Sequence, residues 1–268
     1  LLTIYRPSYL FIPLILLFII FLFLLKENAL SIKGYVALQK NCFYYINSEL
    51  SQFPKITYNL TQLGDCLIFL AFLSPFIIYA PKMWEGLIFS SLCSLALSNP
   101  LKNLFSVPRP AAAFSQNSFV IIGKTLTGHN SLPSGHSITV FAILTVLLFS
   151  LMPLLFISRI FWYALVVIVG LILVFTRVGV GAHFPLDVII GCILGVFAGL
   201  SGILISKKIK LFNWISNIKS YPFFMLLFLS CSVVLVSKIF KENLVIYYLS
   251  LACLLFTLYK ITYVYFKK

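Results

Sequence analysis

Acidic residues are scarce in this chain. Six Asp and Glu stand against 20 Lys and Arg, a formal net charge of +14 in 268 residues. Charge of either sign is also rare, at 10% of the sequence, where soluble domains carry about a quarter. Hydrophobic residues make up 61% and the mean hydropathy is +1.06, more apolar surface than one soluble core of this size could hide. A soluble globular protein is thereby excluded, and the composition is that of an integral membrane protein. The six cysteines (Cys42, Cys66, Cys93, Cys192, Cys231, Cys253) sit mostly in apolar runs. There is no Cys-x-x-Cys and no Cys/His zinc spacing, so cysteine points to neither a metal nor a redox compartment. Gly-x-Ser-x-Gly is missing, and with it the usual serine-hydrolase elbow. Gly179-x-Gly181 follows no strand and is no dinucleotide fingerprint. No basic stripe or nucleic-acid-binding motif appears, so nucleic acid is not an expected partner. The basic balance fits anionic headgroups or a phosphorylated lipid better. No internal repeat or low-complexity segment is evident.

What the chain does have is long apolar runs. A helix needs about 20 mostly apolar residues to cross the hydrocarbon. Eight candidates occur, at 9–25, 66–81, 84–100, 136–157, 160–176, 188–206, 221–237 and 243–265, the third and seventh being the weakest. The first follows Arg6 like a signal peptide but lacks a clear small-residue cleavage site, so it reads as an anchor. Over 27–65 charge mixes with apolar spacing. Tyr35, Leu38, Cys42, Tyr45 and Ile46 recur near helical period, which predicts an amphipathic helix on the bilayer surface. Asn59-Leu-Thr61 matches a glycosylation acceptor, a triplet common by chance that carries no weight here. The expected fold is an all-α, polytopic transmembrane helix bundle. It divides into an anchor and surface segment at 1–65, a core at 66–206 and a C-terminal pair of helices at 207–268.

Three polar islands interrupt these runs: KNLFSVPRP at 102–110, PSGH at 133–136 and TRVGVGAHFPLD at 176–187. Between the first two no run is long enough to span. Between the second and third lie two runs, broken at Ser158-Arg159. Parity therefore puts all three islands on one membrane face. The opposite, shorter loops carry Arg6, Lys82, Arg159, Lys207, Lys208, Lys210, Lys219, Lys267 and Lys268 with Glu85 as the one acid. Short loops rich in Lys and Arg are cytoplasmic, so the islands are expected to face the periplasm or another non-cytoplasmic space.

His183 and Asp187 are spaced i, i+4 and share a face if a helix begins there. A carboxylate on one imidazole nitrogen makes the other a competent nucleophile or base, although the spacing alone also fits a simple helix-surface pair. Lys102, Arg109 and Arg177 are cations at helix ends. Each alone could snorkel to headgroups; gathered on one face beside two histidines they form a phosphate clamp. Pro133-Ser134-Gly135 begins a long apolar run, where helix N–H groups favour an anion and His136 can protonate a leaving oxygen. In combination these parts fit phosphoryl transfer, which is mostly positioning and charge stabilisation. His129, in TGHNS, reads as a loop residue.

In order and spacing the islands resemble the type 2 phosphatidic acid phosphatase (PAP2, or lipid phosphate phosphatase) superfamily. Lys102 through Arg109-Pro110 match its Lys-x6-Arg-Pro, 133–136 its Pro-Ser-Gly-His, and Arg177, His183 and Asp187 its Arg-x5-His-x3-Asp. The resemblance covers about 66–206. It implies a metal-independent phosphatase, without cofactor, on a six-helix core, to which this chain adds two spans after 220. It implies His183 as nucleophile, Asp187 as its partner and His136 as general acid. Lys102, Arg109, Ser134, Gly135 and Arg177 are then the phosphate ligands. Thr176 departs from the usual serine but keeps a hydroxyl. The implied partner is a phosphorylated lipid in the bilayer of a bacterial inner membrane: undecaprenyl pyrophosphate, phosphatidylglycerol phosphate, lipid A or phosphatidic acid. The competing readings are a phosphate-lipid binder or transporter using the same basic pocket, a serine hydrolase using Ser134 with His183, and a metal site on His129, His136, His183 and Asp187. Three neighbouring cations argue against the last.

Overall fold

The computed structural model describes residues 6–209 and 217–267. Lys210 and Lys268 of the basic loops lie outside the described residues. Twelve helices are found among the described residues, in chain order: α1 (Phe11–Lys26), α2 (Ile32–Leu50), α3 (Pro54–Thr61), α4 (Cys66–Phe72), α5 (Phe76–Tyr79), α6 (Pro81–Phe105), α7 (Pro110–Ala113), α8 (Gly135–Ser150), α9 (Phe156–Gly179), α10 (Pro185–Lys208), α11 (Tyr221–Lys241) and α12 (Val245–Phe266). A 3-10 turn, Gln62–Gly64, joins α3 to α4. Five stretches are long and apolar enough to cross a membrane: Pro7–Lys26, Phe156–Gly179, Pro185–Lys208, Tyr221–Lys241 and Val245–Phe266. This is an all-α integral membrane bundle.

Three of the eight expected spans, 66–81, 84–100 and 136–157, are not among these five, although 84–100 is helical within α6. The run 66–81 is no single helix but α4 and α5, separated at Leu73-Ser74-Pro75. Pro75 lacks an N–H and disfavours helical backbone just before it. Ser74 at the break shares a hydrogen bond with Thr257 of α12 at 3.0 Å. The run 136–157 stops as helix at Ser150, three residues before Pro153.

The centre of the bundle is α10, against which α6 and α8 pack. Glycines make this close approach possible. A Cβ on Gly195 would come 2.6 Å from the Ile138 carbonyl oxygen of α8, and one on Gly202 would come 2.4 Å from the Ser90 nitrogen of α6. In membranes helices associate through such small-residue contacts rather than through the hydrophobic effect. By contrast α1 and α9 leave most of their apolar surface outward, as helices facing lipid do.

The helix α2 also departs from expectation. It packs onto the island end of the bundle, and its buried face is Tyr35, Gln39, Phe43 and Asn47 at successive i+4 steps. Tyr45 and Cys42, read from the sequence as part of the apolar stripe, are exposed. The buried amides satisfy backbone groups that would otherwise be orphaned. Asn47 Nδ2 donates to the Val178 and Gly179 carbonyls at the end of α9 (3.1 and 3.0 Å), and Gln39 Oε1 accepts the Leu186 N–H (2.7 Å) in the first turn of α10. The helix is thus a protein-packed cover over the islands, amphipathic as expected but with Tyr35, Gln39, Phe43 and Asn47 as its buried face.

Candidate active site

Each island ends or begins a helix at the same end of the bundle. Lys102 is in the last turn of α6, whose backbone turns left-handed at Ser106 (φ 45°). Arg109 precedes α7; its N–H bonds the Gly128 carbonyl at 3.0 Å, tying the first island to the loop before the second. Ser134 caps α8, accepting the Ser137 N–H at 3.4 Å. Arg177 lies in the last turn of α9, and the chain then turns at Gly181 (φ 76°) to bring His183 and α10 back. Asp187, third in α10, reaches back to accept the Phe184 N–H at 2.9 Å, half of a capping box.

The islands meet around His183. Arg109 Nη1 is 3.3 Å from His183 Nε2 and donates to the Ala182 carbonyl at 3.2 Å. A guanidinium only donates, so Nε2 is the accepting nitrogen and the ring proton sits on Nδ1. On that side the sequence expectation of a direct carboxylate contact needs correction. Asp187 Oδ2 is 3.6 Å from His183 Nδ1, beyond hydrogen-bond reach. Ser131 stands between them: its Oγ is 3.4 Å from Nδ1 and donates to Asp187 Oδ2 at 2.6 Å. The other carboxylate oxygen accepts from Tyr35 of α2 at 2.8 Å. Burial first, then the Asp187 charge, pushes the Tyr35 phenol well above its ordinary value, so it stays a donor. Burial, followed by the Arg109, Arg177 and Lys102 charges, holds His183 well below the ordinary imidazole value. The free imidazole is therefore neutral.

The opposite flank is emptier. Arg177 is buried; its Nη1 donates to Thr61 at 3.1 Å, while its Nε has no hydrogen-bond partner among the described residues. Arg109 Nε is held by Asn130 at 2.7 Å. Lys102 Nζ lies 3.2 Å from where a Cβ on Gly135 would be, so the ammonium rests against the backbone that opens α8. The ring of His136 faces Gly64, where a Cβ would come within 2.5 Å of it. Only glycine fits there. Ser134 departs from the simple picture of a free N–H ligand: its N–H is taken by the Asp187 carbonyl at 3.0 Å, and its Oγ accepts from Ser137. Its own hydroxyl proton remains to donate. His129 is exposed on the 114–134 loop, and its neighbour Asn130 makes the contact with Arg109. The Thr176 hydroxyl bonds the Leu173 carbonyl within its own helix. Sequence reasoning missed Tyr35, Thr61, Gly64, Asn130 and Ser131. Asn130 and Ser131 lie in TGHNS, just before the Pro-Ser-Gly-His island, and Tyr35 was counted only in the apolar period of α2. Among the described residues no three His, Cys, Asp or Glu side chains converge to hold a metal ion.

Three cations, two histidines and a helix start thus meet at one end of a helical membrane bundle, and two similarities support a membrane lipid phosphatase. Residues 85–211 match the PAP2 superfamily, and the chain carries a PAP2 superfamily domain over that stretch. The crystal structure of Aquifex aeolicus LpxE is similar to this fold with a TM-score of 0.51 and 27% identity, covering 64% of this chain and 96% of that one. No curated protein matches the chain. The family match begins inside α6, so the expected second span and both C-terminal helices lie outside it.

Proposed function

We propose that the protein hydrolyses a phosphomonoester or pyrophosphate on a lipid through a phosphohistidine, on the non-cytoplasmic face of a bacterial inner membrane. The observation that carries this reading is the geometry at His183 Nε2, 3.3 Å from Arg109 Nη1 and on the side of the ring away from Ser131 and Asp187. A guanidinium only donates, so this nitrogen carries the lone pair. Arg109, Arg177 and Lys102, with the Gly135 N–H and the Ser134 hydroxyl, hold the equatorial phosphate oxygens. The unpaired Arg177 Nε supports this, since a buried guanidinium N–H without an acceptor is costly until a ligand supplies one. The Nε2 lone pair attacks phosphorus as the P–O bond to the lipid breaks. The bond's electron pair goes to the leaving oxygen, which takes a proton from His136, protonated in the substrate complex where the phosphate's negative charge offsets the neighbouring cations. Ser131 and Asp187 stabilise the positive ring. Water then attacks the phosphohistidine, gives its proton to His136 and releases inorganic phosphate, restoring both histidines. Residues 66–206 serve as the catalytic core in this reading, with 1–65 as anchor and cover and 207–268 as an added pair of spans.

Lys82, Arg159, Lys207, Lys208 and Lys219 lie at the helix ends opposite the islands with Glu85 as the one acid there, while Lys26, Lys238 and Lys241 lie at the island end beside Glu27, Asp65 and Glu242; the acid-poor side supports the orientation. A phosphate-release panel on undecaprenyl pyrophosphate, phosphatidic acid, phosphatidylglycerol phosphate and lipid A tests the activity. Release from at least one, unaffected by EDTA, is expected. Tight binding of these lipids without any hydrolysis would favour a binder or transporter, and EDTA-sensitive activity restored by zinc would overturn the mechanism.

A further inference from the structure

The hairpin of α11 and α12 lies beyond the family match, yet its bonds run to the segment beside the candidate site. Lys238 pairs with Asp65 at 3.0 Å. Glu242 accepts from Tyr58 at 2.7 Å and from Tyr247 at 3.1 Å. The Ile246 N–H donates to Asn59 at 3.2 Å, and Ser250 to the Ile68 carbonyl at 3.2 Å. The segment so gripped, 58–68, carries Thr61, which accepts from Arg177, and Gly64, which the His136 ring touches. It consists of the end of an eight-residue helix, one 3-10 turn and the start of α4. Helices this short do not hold their own shape, so their position comes from what they pack on.

We propose that the C-terminal hairpin is a brace for the phosphate pocket, with Lys238 and Glu242 as positioning residues that hold Thr61 against Arg177 and Gly64 against His136. The inference rests on the phosphatase reading for its chemistry but is testable without turnover. Loosening the brace lets the Arg177 guanidinium leave its place, which weakens phosphate binding before it alters the attacking group.

The test uses the purified full chain. It measures inorganic phosphate affinity by calorimetry, kcat and KM on a short-chain phosphate ester, and Tm. The Lys238→Met/Glu242→Ala double variant is expected to weaken phosphate binding about tenfold and to raise KM in step, with a smaller change in kcat. Thr61→Val should reproduce that loss with the hairpin untouched. The conservative Lys238→Arg variant should stay within about twofold of the parent. Thr257→Val, which cuts the hairpin's contact to Ser74 instead, should lower Tm and leave phosphate affinity unchanged. A double variant that binds phosphate like the parent would overturn the brace. So would a Thr257→Val variant that loses phosphate affinity as much as the double, because the hairpin's role would then be general stability. Failure of the phosphatase reading looks different: no turnover by any form, with the order of phosphate affinities kept, which still supports the brace.

Discussion

The two flanks of His183 are built differently. On the Nδ1 flank every polar group has a partner: Ser131 on Asp187, Tyr35 on Asp187, and the Phe184 N–H on Asp187. On the Nε2 flank Arg177 keeps a buried Nε with no partner among the described residues, and Lys102 rests against the start of α8. A satisfied network fixes geometry, and an unsatisfied one waits for a ligand. The satisfied flank also draws on distant sequence, since Tyr35 and Asp187 are 152 residues apart. The open flank is made mostly of motif residues. Positioning and binding are thus separated on the two sides of one imidazole ring.

That contrast can be broken from either side. His183→Ala removes the ring both flanks share and is expected to lower phosphate release by at least about 10⁴-fold, as loss of a nucleophile does. Arg177→Ala strikes the open flank alone, and a fall of about 10²- to 10³-fold in kcat/KM is expected, the usual cost of a missing charge-stabilising donor. Tyr35→Phe strikes the closed flank by one hydrogen bond. It should cost about 1 kcal/mol, or roughly fivefold in kcat, with KM nearly unchanged. His129→Ala, on the exposed loop, should stay within about twofold.

Protonation sharpens the same comparison. His183 is held below the ordinary imidazole value by burial and then by Arg109. NMR of the ligand-free protein should find its ring neutral at about pH 6, below the unperturbed value near 6.5. Arg109→Gln should move the midpoint upward, because a neighbouring cation that disfavours the charged ring has gone. The sign for stability follows. The unfolded chain takes up a proton near pH 6.5 that the folded chain refuses, so this contribution is present above that value and is lost as pH falls below it.

Much of this was legible in the chain itself. Hydropathy marked five of the eight expected spans, and parity placed Lys102, Arg109, His136, Arg177, His183 and Asp187 at one end, because both need only local composition. The interrupted span at Ser74-Pro75 was visible as a proline but not as a break, since proline is tolerated in membrane helices when neighbours satisfy the backbone. The face of α2 was misread for a physical reason. Gln39 and Asn47 are polar and buried, and their partners at 186, 178 and 179 lie more than a hundred residues away. Ser131 and Thr61 carry single hydroxyls, which announce nothing until the fold sets Asp187 and Arg177 beside them.

The most direct measurement is the covalent state of His183 during turnover. Rapid mixing with a lipid carrying labelled phosphate, quenching under alkaline conditions that preserve phosphohistidine, and peptide mapping should place the label on His183. It should accumulate in His136→Ala when the substrate has a good leaving group that needs no proton, because the water step then lacks its base. Label on no residue under those conditions, with phosphate still released at the parent's rate, would contradict the phosphohistidine.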